Sequence, residues 1–430
     1  MQPFLPLTAL LLTAAPAVAL SSAGVRGSEL LAIQVAVAET GDGTTLEHAV
    51  ILIEKGRIVT IGEDLPIERG IPILDRDPEW TVTPGFVNAY SRLGLDSRAG
   101  SEFKPDVKAS VELYPEDDSY RDVLEFGVTT LGLYPPGTTV AGQASVIRTS
   151  GKSREEMIWE EGAYLKVGIQ ASSSSKKALT RGFEKADQYE EKVKKAREKW
   201  EKDNEKKSKS KSTKKDDKAA SPPDDDDKDK DKKDDGVFVP PAPDADVVPF
   251  LKLRSGELRA LVAINGAAEY LHFLDAMGEE KFEWHLRCPI TRELDLFYVK
   301  DKIGEKGCKI VFEPTISVHP GTMRQRNLPA EFSNAGADLV LIPRDDDVGS
   351  HERWREDVAI LMSTGLTREK ALRAMTLAPA ELLGVGDETG SLTVGKRADM
   401  VFFNGDPFDT GTKVVAVMVD GQFVVEGDEQ

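Results

Sequence analysis

The chain has 430 residues, with 56 Lys and Arg against 74 Asp and Glu and a formal net charge of -18. This length is sufficient for one large barrel or for two or three ordinary domains. The acidic balance argues against a general role in binding nucleic acid, because neutralising phosphates requires a basic surface. We therefore expect a small-molecule ligand and no DNA or RNA partner.

The amino-terminal segment, residues 1–20, is predicted to be a secretory signal peptide. An apolar run rich in Leu and Ala fills most of it and contains Ala17-Val18-Ala19, a typical cleavage site. No Lys or Arg precedes the run, which leaves an uncleaved membrane anchor as the alternative. We expect an exported protein, periplasmic or extracellular. In that oxidising location Cys288 and Cys308 could form a disulfide or stay as buried free thiols.

Both ends of the chain are predicted to form β-hairpins. Near the start, two β-branched runs flank the turn Glu54-Lys55-Gly56-Arg57, and near the end the run Val414–Val419 precedes Asp420-Gly421. Because the two ends share this pattern, we expect them to join as one composite β-sandwich, formed by residues 28–83 and 385–430.

Between these ends, strand-like segments alternate with amphipathic helices. Segments 127–133 and 336–342 each follow a helical stretch, and a helix is predicted over residues 367–383, with Thr367 as its cap and Gly384 as its stop. Alternation of this kind implies an α/β fold in which parallel strands are joined by crossover helices.

Residues 185–245 interrupt this pattern with a segment of Lys, Glu, Asp and Ser that includes Asp224-Asp225-Asp226-Asp227. Such a composition buries too little apolar area to offset the entropy of ordering, so we predict a disordered, charged surface insertion. Only residues 189–202 could form an exposed helix. Lysines among the aspartates and the missing turn glycine argue against a calcium site.

Two sequence blocks carry a resemblance to a known family. The first is Pro84-Gly85-Phe86-Val87-Asn88-Ala89-Tyr90-Ser91-Arg92, and the second includes Gly395-Lys396-Arg397-Ala398-Asp399 and Gly405-Asp406-Pro407. The first resembles the entry to barrel strand one of the amidohydrolase superfamily, which ends in Pro-Gly-(hydrophobic)2-Asp-x-His-x-His. The second is similar to the returning β segment of imidazolonepropionase-like members. The resemblance implies a (β/α)8 TIM barrel over residues 84–384, with its pocket at the carboxyl ends of the strands.

The family resembled here uses the two strand-one histidines to hold a divalent metal that keeps an open position for water. In this chain Tyr90 and Arg92 occupy those positions, and Asn88 replaces the preceding acid. A guanidinium stays protonated and only donates hydrogen bonds, so Arg92 cannot ligate a cation and would repel one. The other histidines, among them His351, form no metal-spaced pair. We expect no metal cofactor, with one divalent ion such as zinc as the alternative.

The resemblance implies further ligand positions on later strands. Lys166 is the candidate for the strand-four lysine, and Asn265 stands at the strand-five histidine position, where an amide is a poor ligand. His285 is the candidate on strand six and Asp345 on strand eight, although a buried structural histidine and a helix-capping aspartate are ordinary alternatives. The predicted site has His285 and Asp345 as catalytic residues and, as pocket residues, Tyr90, Arg92, Lys166 and Asn265.

Three functions follow from this resemblance. The first is a metal-free binding protein, or pseudoenzyme, whose pocket favours anionic ligands. The second is an active hydrolase of amide or cyclic amide C–N bonds other than peptide bonds, with one metal at His285 and Asp345, or with Asp345 as a general base. The third is a subunit that pairs with a metal-competent paralogue in an oligomer, through the charged insertion.

Overall fold

A computed structural model describes residues 30–75, 79–95, 103–212 and 237–426. The predicted signal peptide and the four consecutive aspartates of the predicted insertion lie outside these ranges. Among the described helices, none combines the length and the apolar composition needed to span a bilayer.

The described residues form strands and helices in the following chain order. The strands are β1 (Leu31–Glu39), β2 (Thr45–Glu54), β3 (Arg57–Glu63), β4 (Ile73–Asp75), β5 (Thr81–Pro84), β6 (Phe86–Ser91), β7 (Val128–Leu133), β8 (Val140–Arg148), β9 (Ile158–Gly168), β10 (Ala260–Ala263), β11 (Trp284–Arg287), β12 (Lys309–Phe312), β13 (Ser317–Val318), β14 (Gln325–Arg326), β15 (Asp338–Leu341), β16 (Met400–Phe403), β17 (Val414–Val419) and β18 (Gln422–Glu426). The helices are α1 (Asp118–Glu125), α2 (Arg154–Met157), α3 (Ser173–Ser212), α4 (Val248–Ser255), α5 (Ala267–Met277), α6 (Lys300–Gly304), α7 (Leu328–Asn334), α8 (Val348–Glu352), α9 (Trp354–Ser363), α10 (Arg368–Met375) and α11 (Leu377–Leu383).

A β domain combines strands from both ends of the described chain in one hydrogen-bonded sheet, ordered β18-β17-β16-β5-β1-β2-β3, with β4 also paired to β1. Lys55 and Gly56, with φ of 50° and 77°, join β2 to β3, and Asp420 and Gly421, with φ of 53° and 71°, join β17 to β18. Positive φ at both positions of a two-residue turn matches the twist of the flanking strands. The predicted hairpins are therefore present.

The second large sheet is the barrel, ordered β15-β12-β11-β10-β9-β8-β7-β6 and nearly closed. This arrangement confirms the predicted α/β barrel with an added β domain. One strand departs from the (β/α)8 pattern, because β8 runs antiparallel to both β7 and β9. Residues 134–139, which join β7 to β8, are too few for the crossover helix that a parallel connection requires.

Helix α11 closes the amino-terminal end of the barrel. The aliphatic interior of the barrel, which includes Val87, Leu261 and Val340, is continuous with Leu382 of this helix. The Arg259 guanidinium at the start of β10 donates to the Glu381 carbonyl at 2.6 Å and to the Leu382 carbonyl at 3.1 Å. Within the described residues α11 thus covers this end, and the cavity described below lies at the carboxyl ends of the strands.

The helix predicted over residues 367–383 is interrupted. Thr367 caps α10 as predicted and Gly384 ends α11 with φ of 81°, but Thr376 separates the two helices with φ of -127° and ψ of -82°. Pro379 has no N–H to donate to the carbonyl four residues earlier, and its ring would collide with that carbonyl, so one continuous helix was the wrong expectation.

The charged insertion begins within helix α3, which runs from Ser173 to Ser212 and so extends the predicted 189–202 helix at both ends. The Tyr189 hydroxyl donates to the Pro241 carbonyl at 2.9 Å, so the returning chain lies against the helix. The disorder predicted for the rest of the segment falls mostly on residues 213–236, outside the described ranges. Cys288 and Cys308 are both free thiols, and both are buried.

Candidate functional site

A cavity of about 380 Å³ opens at the carboxyl-terminal ends of the barrel strands. Side chains on five strands, or directly after them, line it: Tyr90 on β6, Tyr134 after β7, Lys166 on β9, Asn265 after β10 and Arg287 on β11. Three of the four predicted pocket residues, Tyr90, Lys166 and Asn265, therefore meet at one cavity. We call this cavity and its lining the barrel mouth.

A pair of stacked tyrosines forms one wall of the barrel mouth. The rings of Tyr90 and Tyr134 lie with centroids 3.8 Å apart and planes inclined by 18°. Burial raises the pKa of both hydroxyls, so both phenols are protonated at neutral pH. The wall is thus an uncharged aromatic surface, and sequence reasoning had not identified Tyr134.

Lys166 places an ammonium group against this wall. The side chain is buried, and Nζ lies 4.1 Å from the centroid of the Tyr134 ring and 5.8 Å from that of Tyr90. Its hydrogen bond is to the Pro135 carbonyl at 3.4 Å. No described carboxylate forms an ion pair with Lys166, so its charge is met only by this carbonyl oxygen and by the faces of the two rings among the described residues.

The electrostatic surroundings of Lys166 favour the neutral amine more than water does. Burial is the main cause, the positive charges of Arg92 and Arg287 add to it, and the negative charge of Asp346 opposes it. Together these effects lower the pKa of Lys166 to about 8. The amine is therefore largely protonated at neutral pH but loses its charge within a mildly alkaline range.

Arg287 is the second cation of the barrel mouth. Its guanidinium lies 5.3 Å from the Tyr90 ring centroid and forms an ion pair with Glu313, whose other carboxylate oxygen accepts from Nη1 at 3.3 Å. The Nε atom of Arg287 is buried and has no hydrogen-bond partner among the described residues. Neither Arg287 nor Glu313 was singled out from the sequence, although each stands at or just after the end of a strand.

Arg92 lies outside the cavity lining, contrary to its predicted pocket role. Its Nη1 donates to the Tyr134 carbonyl at 2.9 Å, and its Nη2 lies 3.4 Å from a carboxylate oxygen of Glu112. The chain after β6 turns this side chain toward Glu112, so its charge is partly offset there. The positive groups that border the cavity are Lys166 and Arg287.

The carboxylate of strand eight that reaches this region belongs to Asp346 and not to Asp345. Both aspartates are exposed, but Asp346 lies 3.5 Å from the Tyr134 hydroxyl and also accepts from the Ser91 hydroxyl and the Arg92 backbone N–H. Asp346 reaches solvent in part, yet protein atoms crowd its carboxylate, and this desolvation raises the pKa of Asp346.

Asn88 and His351 form a buried polar pair beside the barrel mouth. His351 Nδ1 lies 2.8 Å from the Asp347 carbonyl, which can only accept, so Nδ1 carries the proton. His351 Nε2, at 3.1 Å from the Asn88 amide nitrogen, then accepts, while the Asn88 amide oxygen accepts from the Tyr90 N–H. Burial lowers the pKa of His351 and keeps it neutral, and both ring nitrogens are already engaged.

His285, predicted as a catalytic residue at the barrel mouth, lies instead at the amino-terminal ends of the strands. Its Nε2 is 3.1 Å from the carboxylate of Glu283, and its Nδ1 accepts from the backbone N–H of Lys309, the first residue of β12. Burial lowers the pKa of His285. It therefore belongs with the polar groups around the floor of the barrel, two residues below Arg287.

The side chains of the barrel mouth do not fit a divalent metal ion. Within the described ranges, no three His, Cys, Asp or Glu side chains cluster as metal ligands do. The strand-one positions hold a half-buried, protonated phenol and a guanidinium, and Lys166 and Arg287 place two further cations at the cavity. A divalent ion there would meet like charges and few ligand atoms, so these residues are unsuited to holding one.

Comparisons with known proteins agree with this architecture. Residues 349–425 match the model of an amidohydrolase family. An amidohydrolase of Hapsidospora irregularis is 40% identical over 57 residues, which cover 13% of this chain and only 6% of that protein. The chain thus spans a small part of that relative.

Solved structures extend the likeness over nearly the whole chain. The crystal structure of an amidohydrolase from Thermotoga maritima has a TM-score of 0.71 at 21% identity and covers 92% of this chain and 100% of its own. A Xaa-Pro dipeptidase with bound methionine has a TM-score of 0.53 at 12% identity, covering 93% and 100%. At these identities the likeness concerns the fold.

Proposed function

We propose that this chain is a member of the amidohydrolase superfamily whose barrel mouth binds small carboxylate or phosphate anions without a metal ion and does not hydrolyse C–N bonds. The observation that carries this proposal is Lys166, a buried cation that borders the cavity without a carboxylate of its own among the described residues. Both nearby guanidiniums, in contrast, have a carboxylate partner.

An anion at the barrel mouth would be attracted to Lys166 more strongly than to a lysine on the protein surface. Two opposite charges about 4 Å apart attract by about 4 kcal/mol at an effective dielectric constant near 20, before desolvation is counted. The rings of Tyr90 and Tyr134 and the buried Arg287 keep bulk water from one side of this contact. Arg287 lines the same cavity and supplies a second positive charge for the anion.

Calorimetric titration of the full-length chain with lactate and with inorganic phosphate tests the proposal. We expect saturable binding of at least one of these anions and, in Lys166→Met, an affinity lower by about tenfold or more, equivalent to about 1.4 kcal/mol. The matched control is Lys302→Met, because Lys302 is an exposed lysine on α6 and should leave the affinity unchanged.

Elemental analysis of the same purified protein separates this proposal from metal-dependent hydrolysis. We expect no stoichiometric zinc or manganese. Stoichiometric metal together with release of ammonia or amine from an amide substrate would overturn the proposal, and so would wild-type protein that binds neither anion.

A further inference from the structure

We propose that the Nζ atom of Lys166 forms an imine with the carbonyl group of a short oxo acid held at the barrel mouth. This inference rests on the proposed anion site and names the class of its ligand: a compound with one carboxylate and one aldehyde or ketone group. It assigns covalent chemistry to a lysine whose family counterpart is connected with metal binding.

The position of Lys166 suits a covalent role. The residue is buried, yet its amine borders a cavity of about 380 Å³. A ligand in the cavity can therefore reach Nζ, while the surrounding protein shields the rest of the side chain from bulk water. Its contacts are a carbonyl oxygen at 3.4 Å and the face of the Tyr134 ring, and neither immobilises the amine as a carboxylate would. A nucleophilic amine requires this combination of access, partial desolvation and freedom from an ion pair.

Burial and the neighbouring guanidiniums supply the neutral amine that the reaction needs. With its pKa lowered to about 8, Lys166 is neutral in about a tenth of molecules at pH 7, against fewer than about one in a thousand for a surface lysine. Both the Lys166 amine and the Arg287 guanidinium lie within 6 Å of the Tyr90 ring centroid. Because both side chains also line the same cavity, the ligand's carbonyl is assigned to Lys166 and its carboxylate to Arg287.

The reaction balances without an oxidant or a metal. The neutral Nζ attacks the carbonyl carbon, the C=O π electrons move to oxygen, and that oxygen takes a proton, giving a carbinolamine. Nitrogen loses a proton, the hydroxyl leaves as water with a second proton, and the nitrogen lone pair completes the C=N bond of the iminium. Water that enters the cavity with the ligand can carry these protons between oxygen, nitrogen and solvent.

Reductive trapping tests the inference on the full-length chain. Wild-type protein is incubated with pyruvate and cyanoborohydride, and the product is analysed by intact mass and peptide mapping. We expect a single addition equal to the mass of pyruvic acid less one oxygen atom, located on Lys166. Lys302→Met should label like the wild type, whereas Lys166→Arg should lose this adduct.

Lactate, which has no ketone, keeps the two proposals distinguishable. If lactate binds to the wild type but pyruvate leaves no adduct on Lys166, the imine is excluded and the anion site stands. If lactate and phosphate do not bind and no adduct forms, both proposals fall. Labelling spread equally over surface lysines, and unchanged in Lys166→Arg, would also overturn the imine assignment. Because the decisive readout comes from wild-type protein, a misfolded variant cannot obscure it.

Discussion

Arg287 and Glu313 form an ion pair across the ends of the neighbouring strands β11 and β12, and their side chains are only 9% and 14% exposed. Glu313 also accepts the backbone N–H of Ile290 at 3.1 Å, so it fixes the loop after β11 as well as the guanidinium. The pair therefore orients the cation that borders the cavity.

Replacing Glu313 should be costly for folding. We expect Glu313→Gln to lower the free energy of unfolding by roughly 3–5 kcal/mol, because Arg287 would keep a buried charge without its partner. Urea denaturation measures the change. The matched control is Glu293→Gln, because Glu293 is an exposed glutamate in the loop after β11. A loss below about 1 kcal/mol would show that the ion pair is not needed to hold Arg287.

Anion binding should weaken as the pH rises through the range in which Lys166 loses its proton. The pKa of this lysine is lowered to about 8, so its charge is present below that value and lost above it. Arg287 has a raised pKa and holds its proton throughout, and Asp346 loses charge only on acidification, which would favour anions further.

We therefore expect the affinity for lactate to fall by up to about tenfold per pH unit above about pH 8 in wild-type protein. Calorimetry at several pH values, in buffers of equal ionic strength, measures this dependence. In Lys166→Arg, whose guanidinium stays protonated, the affinity for lactate should not change with pH over the same range. An equal decline in both proteins would assign the titration to another group.

The sequence was sufficient for some parts of the barrel mouth because local motifs define them. Pro84-Gly85 marks the start of β6 and so determines the position of Tyr90, which lines the cavity. The hairpin turns of the β domain were likewise predictable, because the residues between the strands must adopt positive φ.

Other parts of the site depend on contacts that a sequence does not reveal. Buried parallel strands are apolar on both faces, so nothing in the pattern marks where β11 ends. His285 and Arg287 point to the same face of β11 and lie about 7 Å apart along it. That distance places His285 at the floor of the barrel and Arg287 at its mouth. Among three consecutive aspartates, Asp346 reaches the site because Ser91 and the Arg92 backbone bind it.

The buried pair of Asn88 and His351 should matter for stability. Asn88→Leu keeps the approximate size of the side chain but removes the donor to His351 Nε2 and the acceptor of the Tyr90 N–H. We expect the free energy of unfolding to fall by about 1–3 kcal/mol, the cost of leaving buried polar atoms unsatisfied. A double-mutant cycle in urea with His351→Leu should give a coupling energy; strictly additive losses would contradict the pairing.

Restoring the family's strand-one histidines should not restore a metal site. In the double variant Tyr90→His/Arg92→His, Lys166 and Arg287 still place two cations at the cavity, and Asn265 still supplies only an amide. We expect no stoichiometric zinc by elemental analysis and no rise in thermal midpoint when zinc is added, as for the wild type. Zinc binding by the double variant would show that the remaining cations do not exclude a metal.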